Sequence, residues 1–139
     1  MEKGIIEYEN GDSYFGESEN GVRNGEGIYT SCGVKLIGVW RDNHLSGKGK
    51  MVCQNFEYDG EFINSVRNGY GIETHTDGTI YKGYFKNGKK HGDMKIYLKN
   101  GAVVECEFSN GVGVGEGTMT MTDGEKVPVL FKDGKLYFK

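Results

Sequence analysis

Apolar and polar residues alternate along most of the chain with a period of two, the spacing of a β-strand that buries one face. Residues 79–101 show it best: Tyr81, Gly83 and Phe85 share one parity, while Lys82, Tyr84 and Lys86 share the other. After Asn87-Gly88 the chain returns through Gly92, Met94, Ile96 and Leu98 on one parity, and then meets Asn100-Gly101. Two alternating runs joined by Asn-Gly predict a β-hairpin. The unit recurs with its first apolar position at Tyr14, Leu36, Tyr58, Tyr81, Val104 and Val127, in steps of 22, 22, 23, 23 and 23 residues. Such a period over the whole chain predicts an all-β stacked array in which each hairpin touches only its neighbours, with no significant helix.

Each hairpin is bounded by turn pairs, among them Asn10-Gly11, Asn20-Gly21, Asp77-Gly78, Asn110-Gly111, Asp123-Gly124 and Asp133-Gly134. Asn or Asp before Gly tolerates positive φ at little cost. Glycines inside the strands need another reason, because they normally weaken a strand. One unit reads Tyr58, Gly60, Phe62, Gly69, Gly71, and the unit before it Leu36, Gly38, Trp40, Gly47, Gly49. Gly60 and Gly83 lie between same-face aromatics, and Gly69, Gly71 and Gly92 lie on returning strands. All are expected to make room for rings lying flat over them, each ring contributing roughly 1.5–3 kcal/mol on burial.

At 139 residues the chain is one domain, and the repeat runs through all of it. Twenty-four glycines against one proline, with 12% aromatic residues, exclude a collagen-like, proline-rich or disordered chain. No run approaches the roughly 18 apolar residues of a membrane helix and no leader-like core follows Lys3, so the chain reads as soluble and cytoplasmic. Cys32, Cys53 and Cys106 are an odd number without a Cys-x-x-Cys pair and read as reduced thiols. The net charge of −3 conceals an asymmetry. Residues 1–30 hold seven acidic and two basic side chains, whereas residues 79–99 hold six lysines and one aspartate.

The recurring pattern Tyr-x-Gly-x-(Phe/Trp)-x-Asn-Gly-x-x-x-Gly-x-Gly strongly resembles the MORN (membrane occupation and recognition nexus) repeat. Its best copy is Tyr81-Lys82-Gly83-Tyr84-Phe85-Lys86-Asn87-Gly88-Lys89-Lys90-His91-Gly92. The resemblance divides the single array into a half-repeat at 4–11, repeats starting near 14, 36, 58, 81 and 104, and C-terminal capping strands over 126–138. Departures fall toward the ends: Ser18 stands for the second aromatic, and Met94, Cys106 and Val129 stand for glycines. What the resemblance implies is an elongated, twisted, single-layer antiparallel sheet of about 13 strands, roughly 55–60 Å long at about 4.8 Å per strand. It further implies a non-enzymatic scaffold or adaptor that docks a helical or extended protein segment in an aromatic-lined groove. The setting would be a cytoskeletal, ciliary or membrane-apposed assembly, and phospholipid binding is proposed for some members.

Three candidate surfaces follow. The groove candidates are Tyr14, Trp40, Tyr58, Phe62, Tyr81, Phe85 and Phe108, because a single layer leaves its aromatic stripe uncovered. A docked helix would present apolar residues at i, i+3, i+4 and i+7. The second is a basic patch of Lys82, Lys86, Lys95 and Lys99, with Lys89 and Lys90 in the loop, facing anionic phospholipid or an acidic protein. A three-residue loop over 100–102 would set Lys95 opposite Glu107 and partly neutralise it. The third is the C-terminal edge, where Leu130, Phe131, Leu136, Tyr137 and Phe138 put apolar residues on both parities, as pairing in a homodimer or a fold-back would require.

Enzyme chemistry finds no footing. His44, His75 and His91 have no ligand spacing, no metal site is expected, and each histidine reads as a polar surface residue. Pairs such as Gly25-Glu26-Gly27 open no helix and precede no Gly-Lys-Ser/Thr, so no phosphate loop or cofactor is expected. An acidic chain is a poor nucleic-acid binder. An extracellular sugar-binding array of similar hairpins is disfavoured by the unpaired cysteines and the missing leader.

Overall fold

A computed structural model describes residues 1–139, the full sequence. Thirteen strands form one open antiparallel sheet in which each pairs only with its neighbours in sequence. They are β1 (Glu2–Glu7), β2 (Ser13–Glu19), β3 (Val22–Ser31), β4 (Val34–Arg41), β5 (His44–Val52), β6 (Phe56–Ile63), β7 (Val66–His75), β8 (Ile80–Lys86), β9 (Lys89–Tyr97), β10 (Val103–Ser109), β11 (Val112–Thr120), β12 (Lys126–Lys132) and β13 (Lys135–Phe138). This is the all-β hairpin array that the two-residue alternation predicts, laid out as the single layer that the resemblance implies.

The register explains how a single layer keeps a core. A row of eight glycines crosses the sheet from β1 to β8, in the pairs Gly4↔Gly16↔Gly27↔Gly38↔Gly49↔Gly60↔Gly71↔Gly83. It forms a trough without side chains, and residues from the rows on either side lean across it. A Cβ on Gly71 would stand 2.2 Å from Tyr58 Cε2, one on Gly27 2.1 Å from the Tyr14 hydroxyl, and one on Gly38 2.6 Å from Leu45 Cδ1. The side chains themselves are thus the second layer. Their polar ends are satisfied on the backbone: Tyr58 Oη donates to the Glu61 carbonyl at 2.9 Å and Trp40 Nε1 to that of Gly27 at 3.0 Å. Burial pushes the Tyr58 phenol up to about 12. Neighbouring rings meet edge to face, Tyr58 with Phe62 at 5.3 Å and with Phe85 at 4.9 Å.

Beyond β8 the trough is filled from within. Met94 pairs with Gly83, Cys106 with Met94, and Val129 with Gly117, so side chains occupy the row. The flanking residue shrinks in step: where β2, β6 and β8 carry Tyr14, Tyr58 and Tyr81, β10 carries Val104, wholly buried. The departures at Met94, Cys106 and Val129 therefore form one large-for-small exchange between the row and its flank, whereas Ser18 on β2 lies outside it. The C-terminal cap is two strands, with the Phe131 ring 2.5 Å from where a Gly113 Cβ would stand.

The two glycines of a pair such as Gly69 and Gly71 do different jobs, which corrects the expectation that both make room for rings. Between the pairs Gly60↔Gly71 and Phe62↔Arg67, β7 bulges outward, and Gly69 sits in the bulge at φ +106°. Gly92 is placed alike at φ +96°; of the pair Gly69 and Gly71 only Gly71 lies under a ring. The Glu61 carboxylate closes the bulge by accepting Tyr70 N–H at 3.1 Å.

The Asn-Gly pairs likewise divide into two kinds. Asn87 and Gly88 both have positive φ, +52° and +83°, the two-residue turn that matches strand twist. At the other end of the hairpin only Gly101 is left-handed, and Asn100 acts through its side chain, accepting Ala102 N–H at 3.0 Å. Cys32 holds the first kind of position at φ +49°, with its side chain exposed. Replacing it by asparagine, which tolerates that conformation better, is expected to raise stability by about 0.5–1 kcal/mol, read as a higher urea midpoint at unchanged slope.

Candidate functional site

The sheet presents two faces. On the ring face, Tyr14, Tyr58, Trp40, Phe62 and Phe85 are at most 2% exposed and Phe108 is 9% exposed. The expectation of an uncovered aromatic stripe is thereby corrected: these rings lie over the glycine trough and against one another, and of the seven only Tyr81 is half-open. The reachable apolar residues of this face instead include Tyr29, Leu36, Met51, Phe56, Tyr81 and Leu98, half-buried against that core. Alternation alone ranks these with the fully buried rings, because both share one parity; only the glycine register separates them.

Two arginines cross the ring face. The Arg23 guanidinium lies 4.6 Å from the Tyr29 ring centroid, 5.1 Å from Trp40 and 5.6 Å from Tyr8, and donates to Tyr8 Oη and to the Asn43 carbonyl. Arg67 occupies the matching place over Phe56, Tyr58 and Phe85.

Beside Arg67 stands a cluster absent from the expectations above. The Glu73 side chain, 3% exposed, has Oε2 2.7 Å from Arg67 Nη1 and Oε1 2.8 Å from Lys90 Nζ and 2.6 Å from His75 Nε2. Its position in β7 is held by Tyr29 in β3, Met51 in β5 and Ile96 in β9. Burial by itself would raise the Glu73 carboxyl, but the hydrogen bonds and charges of Lys90, His75 and Arg67 outweigh it and hold the carboxyl below its ordinary value. The signal in the sequence is an acid on apolar parity, with basic residues at 67 and 90 on the same parity.

This cluster revises two expectations. Lys90 is neither in a loop nor on the outer patch: it pairs with Phe85 in β9, and its Nζ stands 4.2 Å from the Tyr81 centroid. His75 is half-buried and not a free surface residue, lying against Phe56 and Tyr81 with ring centroids 5.4 and 5.2 Å away.

The remaining lysines lie on the outer face or beyond. Lys82 pairs with Lys95, Lys86 with Lys89 at the start of β9, and Lys99 lies past its end. Lys95 stands opposite Glu105, not Glu107, which faces Asp93 instead. A shallow depression of about 760 Å³ brings Lys82 and Lys95 together with Asp93, Glu105, Glu107 and Glu116, so acids outnumber lysines there. The outer face also carries an apolar ladder in Ile5↔Phe15↔Ile28↔Ile37, flanked by Val39. Phe15 and Val39 are 51% and 55% exposed. These residues hold the parity opposite to the rings, a signal that attention to the ring parity passes over.

At the C-terminal end Phe131 and Leu136 pack against the core, Leu130 faces Tyr137 across the β12–β13 pair, and Tyr137 and Phe138 are exposed. The three cysteines are free, and burial pushes the Cys106 thiol up to about 11, where it is a poor nucleophile at neutral pH. No helix is long and apolar enough to cross a membrane.

Comparison with known proteins agrees with this architecture. The chain is 35% identical over 85 residues to MORN repeat-containing protein 3 of Xenopus laevis, covering 60% of this chain and 29% of that protein. It is 32% identical over 74 residues to the inactive protein tyrosine kinase pTKL of Plasmodium berghei and 42% over 53 residues to that of Plasmodium falciparum. Those alignments cover 52% and 37% of this chain but 5% and 4% of the two proteins. The chain thus spans less than a third of each relative's length. The MORN repeat pattern itself matches residues 14–32, 37–56, 58–80, 81–92 and 107–126, well over half the sequence. Together with thirteen strands in one hairpin array, these matches place the chain in the MORN repeat family.

Proposed function

We propose that this chain is a non-enzymatic docking module whose ring face receives a helical or extended segment of a partner protein. The observation that carries this reading is the line of half-buried apolar residues along that face, Tyr29, Leu36, Met51, Phe56, Tyr81 and Leu98, above a core that needs none of them to be covered. Such a row fits one side of an amphipathic segment. The setting is an intracellular, cytoskeletal or membrane-apposed assembly, as the family suggests.

The alternative, a phospholipid adaptor working through the lysines of residues 82–99, loses support from their placement. Lys90 faces the rings, and the outer lysines are interleaved with four acids. Anionic membranes attract roughly 1 kcal/mol per free basic residue, and the acids offset that attraction.

The test is alteration of half-buried groove positions, with folding checked for each variant. Met51→Glu and Tyr81→Ser proteins, confirmed folded by their unfolding curves, are expected to lose at least tenfold in affinity for a partner segment mapped by crosslinking to wild type. Phe15→Ser, on the opposite face, is expected to leave binding unchanged. The reverse pattern, loss with Phe15→Ser alone, would move the docking surface to the outer apolar ladder.

A further inference from the structure

We infer that the segment received by the ring face is acidic, and that one of its carboxylates docks on Arg67 and Lys90; this rests on the docking reading above. Parity across the sheet leads there. From β5 to β11 Glu73 is the one acidic strand residue on the ring face, and it shares that face with Arg67, Lys90 and His75. Two permanent cations surround one carboxylate, leaving positive charge on this face of a molecule whose net charge is −3.

The donors are also unspent. Lys90 has three N–H groups and directs one at Glu73; Arg67 has five and directs one at Glu73 and one at the Gly88 carbonyl. Both side chains remain open toward solvent, 16% for Arg67 and 19% for Lys90, beside Phe56 and Tyr81. A carboxylate arriving there gains charge-assisted bonds in a partly dry, aromatic-walled place, where they are stronger than on open surface.

An acidic peptide fits this site better than a membrane does. Bilayer headgroups meet projecting cations, and these are recessed among rings. A side-chain carboxylate, carried on a segment whose apolar residues lie on Met51 and Tyr81, reaches them in the same act of docking.

The experiment is selection of 16-residue peptides from a random displayed library against the wild-type protein, followed by affinity measurement on three variants. Selected peptides are expected to be enriched in Asp or Glu. Lys90→Gln, which keeps an amide donor for Glu73, is expected to weaken them about tenfold. Glu73→Gln, which removes the competing carboxylate and keeps its shape, is expected to tighten them several-fold. The opposite signs matter, since a purely structural cluster would make both changes weaken binding. Met51→Ser, which adds no charge, tests the underlying reading separately.

Peptides lost with Met51→Ser but indifferent to both cluster variants would overturn the acidic assignment and leave the docking face standing. A library yielding no ring-face binders would overturn both. Binding of vesicles of phosphatidylcholine with 20 mol % phosphatidylserine, abolished by Lys90→Gln while no peptide responds to that change, would replace the peptide by lipid headgroups.

Discussion

Replacing Gly71 by alanine is expected to cost about 3 kcal/mol, whereas the same change at Gly4 should leave stability within about 0.5 kcal/mol. Both glycines belong to the row that crosses the sheet, so what differs is what lies above them. A Gly71 Cβ would stand 2.2 Å from Tyr58 Cε2 and 2.4 Å from Cζ, and the ring has nowhere to retreat. It meets Phe62 on one side and Phe85 on the other, and its hydroxyl is fixed on the Glu61 carbonyl. At Gly4 nothing lies within 4 Å. Gly47 should fall between, at about 1 kcal/mol, because its surroundings are open but its φ is +86°. Urea unfolding followed through the fluorescence of Trp40, the only tryptophan and 2% exposed, reads all three. Equal costs at Gly71 and Gly47 would mean that backbone freedom, not the seat of a ring, is what the repeat's glycine supplies.

That distinction also marks where sequence reading stops. Strand positions, hairpin succession and the fold were legible because alternation and spacing are local, and the glycine between Tyr58 and Phe62 already implied a ring above it. Which of two glycines receives the ring depends on the bulge, and the bulge exists only as a mismatch between strands. Lys90 shows the same limit. Counted as a loop residue next to Asn87-Gly88 it belongs with Lys89, but the tight turn ends at Gly88 and puts Lys90 on the parity of Phe85. The Glu73 cluster was hidden because Lys90 reaches Arg67, Glu73 and His75 of β7 from β9, through two turns whose lengths must both be right.

Glu73→Ala is expected to cost about 3–5 kcal/mol, the loss typical when one partner of a buried ionic cluster is removed and its counter-charges stay behind. The pH dependence should change with it. Because the carboxyl is held below its ordinary value in the folded protein, its contribution is complete above pH 4.5, the unfolded value, and drains away as the pH falls through the folded one. Glu73→Gln should therefore flatten the acid limb of the stability curve while costing less than alanine. The fold itself offers the opposite solution two strands away, where β5 carries Leu45 and Met51 in the places of Arg67 and Glu73. Copying it, as Arg67→Leu/Glu73→Met/Lys90→Leu, should restore wild-type stability or exceed it, since apolar replacement of a buried carboxylate together with its cations is often neutral or favourable. A triple variant that is stable yet no longer takes acidic peptides would mean that the charges are retained for what they bind. A triple variant as unstable as Glu73→Ala would make them structural, and would remove the reason to place a ligand there.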